Sequence, residues 1–172
     1  TIFPGASAFI GGDIVSGIYA INDETEPWML LDFGTNGEMI LWTGEQLIAT
    51  AAAAGPAFEG GNITCGCASV PGAISGVMIA GCHSHTKTIG GIPAIGICGS
   101  GLLEAMSGMR KAGLLDENGT FIENLRSDGF VLQTPGSKKE IVLTQEDIRQ
   151  FQMAKSAIAV GQKALLKVAG LK

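Results

Sequence analysis

The sequence lacks both a concentration of basic residues and a long apolar run. Charged residues amount to 16% and the net charge is −5, so the chain offers no cluster of Lys and Arg of the kind that binds nucleic acid. Hydrophobic residues reach 46% and the mean hydropathy is +0.33, yet no apolar run attains the roughly 18 residues of a membrane span. We therefore expect no nucleic-acid partner and no membrane insertion, and we expect the apolar residues to build a buried sheet and small-residue helices.

Cysteine is scarce, and no signal-like segment begins the chain. The few cysteines therefore favour reduced thiols and a cytoplasmic location. Their spacing, with two nearby histidines, does not match the C-x₂₋₄-C and H-x₃₋₅-H pattern of structural zinc sites. Buried free cysteine acting as a small apolar residue is the simpler interpretation. The pattern consists of Cys65, Cys67, Cys82 and Cys98 with His83 and His85. We predict no role for Cys67, Cys82, His83 and His85.

The chain has no initial Met, and its last predicted helix runs almost to Lys172. We expect residues 1–172 to be a single domain, excised from a longer protein. Near its beginning, Gly11-Gly12-Asp13 opens a predicted helix with Asp13 as the N-cap.

The segment 30–41, LLDFGTNGEMIL, predicts a strand, a polar turn and a returning strand. Asn36-Gly37 is a strong signal for a tight hairpin turn, because both residues tolerate positive φ. A third strand is predicted from Gln46 to Thr50, which would complete three antiparallel strands.

The polar residues of this hairpin exceed what a turn needs. Gly34 and Gly37 would let backbone N–H groups approach a bound anion, and Asp32 at a strand end would hold Mg²⁺ through water. Thr35 and Glu38 flank the same turn. An ordinary hairpin with a capping Asp remains the alternative, because short motifs are often accidental.

Two later segments place helix starts where an anion would bind. Gly55-Pro56 precedes a predicted short helix, whose N-terminus would face phosphate groups, while Glu59 would orient a water or a metal-bound ligand. The run Gly96-Ile97-Cys98-Gly99-Ser100-Gly101 precedes a second helix that ends at Gly113. Either segment is alternatively a chain reversal or a packing device, and no Gly-Lys-Ser/Thr follows to make a P-loop.

The remaining elements follow from local patterns. Residues 73–80 and 86–95 are predicted strands or extended segments, and two short strands are predicted at 129–133 and 140–143. Thr144 is the predicted N-cap of the last helix. Its apolar stripe is predicted to be core or a subunit interface and comprises Ile148, Phe151, Ala154 or Lys155, Ile158 and Leu165.

Four segments together resemble a known family. They are LLDFGTNGEMIL, AAAAGPAFEGGNITCG, GICGSGLLEAMSGMRKAGLLDENG and LTQEDIRQFQMAKSAIAVG, at residues 30–41, 51–66, 96–119 and 143–161. The first resembles a phosphate-binding hairpin of the ASKHA superfamily. Taken together, the four resemble the C-terminal ATPase domain of the reductive activators of corrinoid proteins.

The resemblance implies an α/β fold, a ribonuclease-H-like ASKHA half-domain with a mixed sheet and flanking helices. It implies ATP and Mg²⁺ as ligands, and an intact protein that hydrolyses ATP while restoring a corrinoid protein from Co(II) to Co(I). A [2Fe-2S] cluster is expected only in an N-terminal domain outside this chain, and the adenosine loop is absent as well. The isolated piece is therefore expected to keep the fold without the full activity.

The resemblance also implies roles for single residues. Asp32 would hold Mg²⁺ or its water, and Glu38 and Glu59 would position the attacking water. The expected nucleotide-binding residues are Gly34, Thr35, Asn36, Gly37, Gly55, Gly99, Ser100 and Gly101. Two other interpretations stay open. One is a small-molecule kinase of the same fold, and the other is a non-catalytic interaction domain whose long helix forms a homodimer.

Overall fold

Three antiparallel strands form the first sheet, in the order β1-β2-β3. In this computed structural model they are β1 (Trp28–Phe33), β2 (Asn36–Trp42) and β3 (Leu47–Ala53), and they follow helix α1 (Gly12–Ile21). The description covers every residue except 1–3, 6, 8, 22–24, 123–127, 133–135, 137–138 and 172. The predicted three-stranded arrangement is confirmed, with β3 extending three residues beyond the predicted Thr50.

Contacts divide the chain into two compact units. Unit 1 comprises Thr1–Gly55 and Ala154–Lys172, and unit 2 comprises Pro56–Met153. The single domain expected over residues 1–172 stays a prediction.

The central strand of unit 1 is covered on both faces. Met39, Ile40 and Leu41 are consecutive, and all are at most 4% exposed. Successive side chains of a strand point to opposite faces, and Ile40 packs with Ile10 and Ile14. On the other face Met39 lies so close to Gly161 that a side chain there would overlap its thioether.

The hairpin turn differs from its prediction. Asp32 pairs with Glu38 and Phe33 pairs with Gly37, so the turn lies at Gly34 and Thr35 and β2 begins at Asn36. The tight turn predicted at Asn36-Gly37 is wrong, since neither residue has a positive φ.

Packing gives the reason for the glycine at 37. A β-carbon on Gly37 would run into the Cδ1 atom of Ile158. Ile158 belongs to the last helix, so the glycine lets β2 approach that helix closely.

Helix α3 (Gln145–Val168) begins as predicted. The Asp147 backbone N–H donates to Thr144 Oγ1 at 3.2 Å, and the Thr144 N–H donates back to Asp147 Oδ2 at 2.8 Å. This reciprocal capping satisfies two N–H groups at the helix start. The predicted buried stripe is confirmed at Ile148, Ala154, Ile158 and Leu165, whereas Phe151 is half-buried.

Unit 2 contains a mixed sheet, one whole long helix and the first part of α3. The strand order is β5-β4-β6, with β4 (Ala73–Ala80) antiparallel to β5 (His83–Thr88) and parallel to β6 (Gly96–Ile97). Helix α2 (Gly99–Lys111) packs on β4, and β7 (Phe130–Leu132) pairs with β8 (Ile141–Leu143).

Several boundaries in unit 2 match the predictions and one does not. Strand β4 coincides with the predicted segment 73–80, and Gly113 follows α2 with a φ of +72°. The segment predicted at 86–95 instead divides into the end of β5, a 3₁₀ turn at Ile89–Gly91 and the approach to β6. The predicted strand end at Gln133 lies outside the described residues.

None of the helices in the described part of the chain is both long and apolar enough to cross a membrane.

Candidate functional site

Three carboxylates converge at the tip of the unit 1 sheet. Asp13, Asp32 and Glu38 each have a side-chain oxygen within 4.8 Å of the others. Asp13 and Asp32 are exposed and Glu38 is half-buried. Among the described residues, this is the only group of three or more potential metal ligands close enough to share an ion.

The sheet register brings two of these carboxylates together. Asp32 and Glu38 are direct cross-strand partners in the β1–β2 pair, and directly opposed residues lie on one face of a sheet. Like charges in this position destabilise the pair.

Helix α1 supplies the third carboxylate. The helix begins at Gly12, with the Val15 N–H bonded to the Gly11 carbonyl, so Asp13 lies in the first turn. The predicted N-cap role of Asp13 is therefore wrong. The physical reason is that Gly11 occupies the cap position, where a β-carbon would overlap the Asp13 carboxylate.

Backbone groups hold two of the carboxylates in place. Glu38 Oε1 accepts a hydrogen bond from the Gly11 N–H at 3.1 Å, and Asp13 Oδ1 accepts one from the Ile14 N–H at 2.9 Å. The N-terminus of α1 carries partial positive charge, which favours nearby carboxylates. The sequence has no Lys or Arg before Lys87, so residues 1–55 contribute no basic side chain to offset the three charges.

The oxygen geometry fits a hard divalent cation. Mg²⁺ prefers oxygen ligands at about 2.0–2.1 Å and usually keeps several waters, so ligand oxygens on opposite sides of the ion lie about 4.2 Å apart. Spacings of up to 4.8 Å suit an ion that is reached partly through water. These three residues would hold the ion, and the ion would contribute charge neutralisation at bound phosphates.

The other predicted residues of the hairpin lie at the same tip. Thr35 and Asn36 are exposed, while Gly37 is buried against α3. Gly55 also lies at this tip, because its backbone N–H donates to the Thr35 carbonyl at 2.9 Å. Its φ is +76°, and the space that a β-carbon would occupy is open.

Unit 2 contains the remaining predicted site residues. Glu59 is exposed at the end of the 3₁₀ turn Pro56–Glu59, next to the Phe58 carbonyl that faces Gly99. Gly99 and Gly101 are buried, and β-carbons there would overlap the carbonyl groups of Phe58 and Ile74. Ser100 is exposed, and its hydroxyl donates to the Ser75 carbonyl at 3.2 Å.

A thiol lies at the start of α2. Cys98 is the N-cap residue, is 1% exposed, and has its Sγ 3.3 Å from Ser100 Oγ. Burial alone would raise the pKa of this thiol. The Ser100 hydroxyl, the backbone N–H groups of Gly101 and Ser100, and the Ser69 hydroxyl outweigh burial and lower the pKa below its ordinary value.

The family profile described as the C-terminal domain of RACo, the ASKHA domain, matches residues 26–172. This chain belongs to that family. The match includes Asp32, Glu38 and the hairpin tip, while Asp13 lies before its first residue. The resemblance seen in the sequence is therefore confirmed.

Similar solved and curated proteins support the assignment to this family of RACo C-terminal domains. A structure titled "Reductive activator for corrinoid,iron-sulfur protein" matches with a TM-score of 0.89 and 37% identity, over 99% of this chain and 30% of that one. "Corrinoid activation enzyme RamQ" of Eubacterium limosum is 30% identical over 100% of this chain and 32% of its own length. The "[Co(II) methylated amine-specific corrinoid protein] reductase" of Methanosarcina barkeri is 29% identical over 87% of this chain and 30% of its own.

The chain thus spans about a third of the length of the relatives it matches. The predicted ASKHA fold class is confirmed by the family match and by the structural similarity. Within this fold, Asp13 is the member of the carboxylate cluster that sequence reasoning missed. The signal was present as Gly11-Gly12-Asp13, but a helix start explains that pattern equally well.

Proposed function

We propose that this chain is the Mg²⁺-nucleotide-binding part of a protein that reductively reactivates corrinoid proteins from Co(II) to Co(I). The names of the relatives support the reaction class, since they describe corrinoid activation, reduction of a Co(II) corrinoid protein and reductive activation. The chain covers about a third of those proteins. The identity and location of the electron donor are therefore also part of the proposal. We expect a [2Fe-2S] cluster in a separate N-terminal domain, and a cytoplasmic location.

One observation carries the proposal for the nucleotide. The carboxylates of Asp13, Asp32 and Glu38 meet at the hairpin tip without a basic side chain from residues 1–55. The Gly11 N–H and the N-terminus of α1 stabilise Glu38 and Asp13, but Asp32 and Glu38 still oppose each other as like charges, which destabilises the strand pair. A bound divalent cation reverses the sign of that interaction.

The hairpin residues take roles that follow from their positions. Asp32 holds Mg²⁺ through water, with Asp13 as the further ligand that the structure suggests. The exposed tip residues, with the backbone of Gly34 and Gly37, contact phosphate oxygens alongside Gly55. Glu38 and Glu59 are the candidates for positioning the attacking water, because phosphoryl transfer to water depends on orientation and charge neutralisation.

Nucleotide turnover can drive an unfavourable electron transfer only by changing the populations of the states that are bound to and released from the corrinoid protein. ATP-bound and ADP-bound forms must differ in their affinity for the corrinoid protein. Hydrolysis in this chain would then alternate association with release. A homodimer is part of the same proposal.

Calorimetric titration of Mg-ATP tests the nucleotide site. The titration uses this chain and the full-length protein in parallel, at moderate salt, with Asp32→Ala in both. We expect the full-length protein to bind and the Asp32→Ala change to weaken binding at least about tenfold, which is about 1.4 kcal/mol. Binding by full-length protein alone would indicate that other domains complete the cleft.

Turnover tests the catalytic part. Asp32→Ala in the full-length protein should abolish Mg²⁺-dependent ATP hydrolysis while circular dichroism stays unchanged. Glu45→Gln is the matched control, because Glu45 is exposed at the β2–β3 turn and its substitution removes one negative charge from the same sheet. Unchanged turnover in Asp32→Ala, or no Mg-ATP binding by wild-type full-length protein, would favour the interaction-domain alternative.

A further inference from the structure

Two cysteines of unit 2 lie on neighbouring extended segments. Gly66 forms a parallel bridge with Ile97. The Cys67 N–H donates to the Ile97 carbonyl at 2.9 Å, and the Ile97 N–H donates to the Cys65 carbonyl at 2.8 Å. This register makes Cys67 the neighbour of Cys98.

The pleat places both thiols on the same face. Side chains alternate along a strand, so Cys67, Gly96 and Cys98 point away from the face that Gly66 and Ile97 share. The contacts agree, since a β-carbon on Gly96 would lie 2.9 Å from Cys67 Sγ. The glycine at 96 leaves room for the Cys67 thiol on the face that Cys98 shares.

The spacing of adjacent strands suits a covalent link. Neighbouring strands run about 4.7–4.9 Å apart, and the α-carbons of disulfide-bonded cysteines lie about 4.4–6.8 Å apart. In the present structure all four cysteines are free thiols.

The two thiols differ in exposure and in pKa. Cys67 is partly exposed, and burial followed by the charge of Cys98 raises its pKa. Cys98 is buried at the N-terminus of α2 with a lowered pKa. An oxidant can therefore reach Cys67, and Cys98 supplies the thiolate that attacks next.

We propose that Cys67 and Cys98 form a reversible intrachain disulfide with a low-molecular-weight disulfide as oxidant. The Cys67 thiolate attacks the oxidant, releases one thiol and becomes a mixed disulfide. The Cys98 thiolate then attacks Cys67 Sγ and releases the second thiol. In balance, the protein dithiol loses two protons and two electrons, and the oxidant is reduced to two thiols.

The disulfide would change the start of α2. In the reduced form, Cys98 Sγ donates to the Ile74 carbonyl at 3.3 Å and lies 3.3 Å from Ser100 Oγ. A covalent bond to Cys67 replaces the thiol proton that makes the first contact. It also links the extended segment that contains Cys67 to the N-cap residue of α2.

Peptide mapping after oxidation with glutathione disulfide is the test. The reduced, folded chain is oxidised, alkylated and digested with trypsin without reductant. Since Lys87 is the first basic residue and Arg110 the next, Cys98 lies on peptide 88–110 and the other three cysteines lie on peptide 1–87. We expect these two peptides to become linked and to separate again with dithiothreitol.

Single substitutions identify the partner of Cys98. The link should disappear in Cys67→Ser and persist in the matched controls Cys65→Ser and Cys82→Ser. Exposed Cys82 reports that the oxidant has reacted, because it should take up glutathione. The mapping needs no nucleotide, so its outcome is independent of the proposed ATP site.

Two results would overturn the proposal. One is glutathione on Cys82 with peptides 1–87 and 88–110 unlinked. The other is a link that survives Cys67→Ser, which would assign the partner to Cys65 or Cys82. Circular dichroism of each oxidised sample confirms that the mapped chain was folded.

Discussion

Two glycine-containing polar turns carry the predicted site residues, and their surroundings differ. At the hairpin tip of unit 1, Asp32 is exposed and faces two other carboxylates. At the start of α2 in unit 2, Gly99 and Gly101 are buried against backbone carbonyls. Packing therefore accounts for the glycines of α2, whereas at the hairpin tip backbone N–H groups hold Glu38 and Asp13 and leave Asp32 opposite Glu38 as a like charge.

The difference separates two reasons for a similar sequence pattern. A buried glycine marks a place where two backbones approach each other, and its substitution should reduce stability. An exposed carboxylate opposite another carboxylate marks unfavourable electrostatics, and its removal should increase stability in the absence of a ligand. Stability measurements can therefore distinguish the two turns by the sign of the effect.

The largest effect is expected for Gly101→Ala. A new β-carbon would overlap the Ile74 carbonyl, which belongs to a sheet strand and cannot move aside cheaply. We expect a loss of about 3 kcal/mol in the free energy of unfolding. Alanine is more favourable than glycine in a helix by about 0.8–1.0 kcal/mol. The loss of stability would therefore occur despite the higher helix propensity of alanine.

Urea unfolding followed by circular dichroism measures this loss. Gly108→Ala is the matched control in the same helix, because the nearest neighbours of its β-carbon would be atoms of the Ile79 side chain, at 3.1 Å or more. A change within about 1 kcal/mol is expected there. Equal stability of the two variants would mean that α2 has room at position 101.

A smaller loss is expected for Gly37→Ala in unit 1. The new β-carbon would meet Ile158 Cδ1, the far end of a side chain that can rotate. We expect about 1–2 kcal/mol, and Ile158→Val should recover part of it by removing that methyl group. A double-mutant cycle by urea unfolding measures the coupling, and additive effects would contradict the contact.

Local patterns in the sequence predicted what depends on local physics. The cap at Thr144, the glycine at 113 and strand β4 all follow from residues within a few positions. The turn predicted at Asn36-Gly37 was wrong, because the residue that requires the glycine at 37, Ile158, lies far along the chain. Asp13 was assigned to a helix cap for the same reason, since only the folded chain brings it to Asp32 and Glu38.

A gain in stability is expected for Asp32→Asn in buffer without divalent cations. Asparagine keeps the shape and removes the repulsion with Glu38, so we expect about 0.2–1 kcal/mol of added stability. This corresponds to a rise in Tm of up to about 4 °C. Thermal unfolding measures it, with Glu45→Gln as the control that removes a charge outside the cluster.

Mg²⁺ should reverse the order of stability of wild type and Asp32→Asn. At ten times its Kd, Mg²⁺ would stabilise wild type by about 1.4 kcal/mol, and Asp32→Asn should gain less. A variant that is less stable than wild type without Mg²⁺ would mean that Asp32 stabilises the hairpin as an ordinary capping residue.

The smallest effect concerns the pH dependence of the thiol at α2. The Ser100 hydroxyl is among the groups that lower the pKa of Cys98, so Ser100→Ala should raise that pKa. At any given pH a smaller fraction of Cys98 is then thiolate, and the pH profile for closing the Cys67–Cys98 disulfide should move to higher pH. In a Cys65→Ser/Cys82→Ser background, the second phase of thiol release from an aromatic disulfide reagent measures this step, because Cys67 releases the first thiol and attack by Cys98 releases the second. Ser107→Ala, on the exposed side of the same helix, should leave the profile unchanged. A profile that does not move in Ser100→Ala would mean that the Ser100 hydroxyl does not lower the pKa of Cys98.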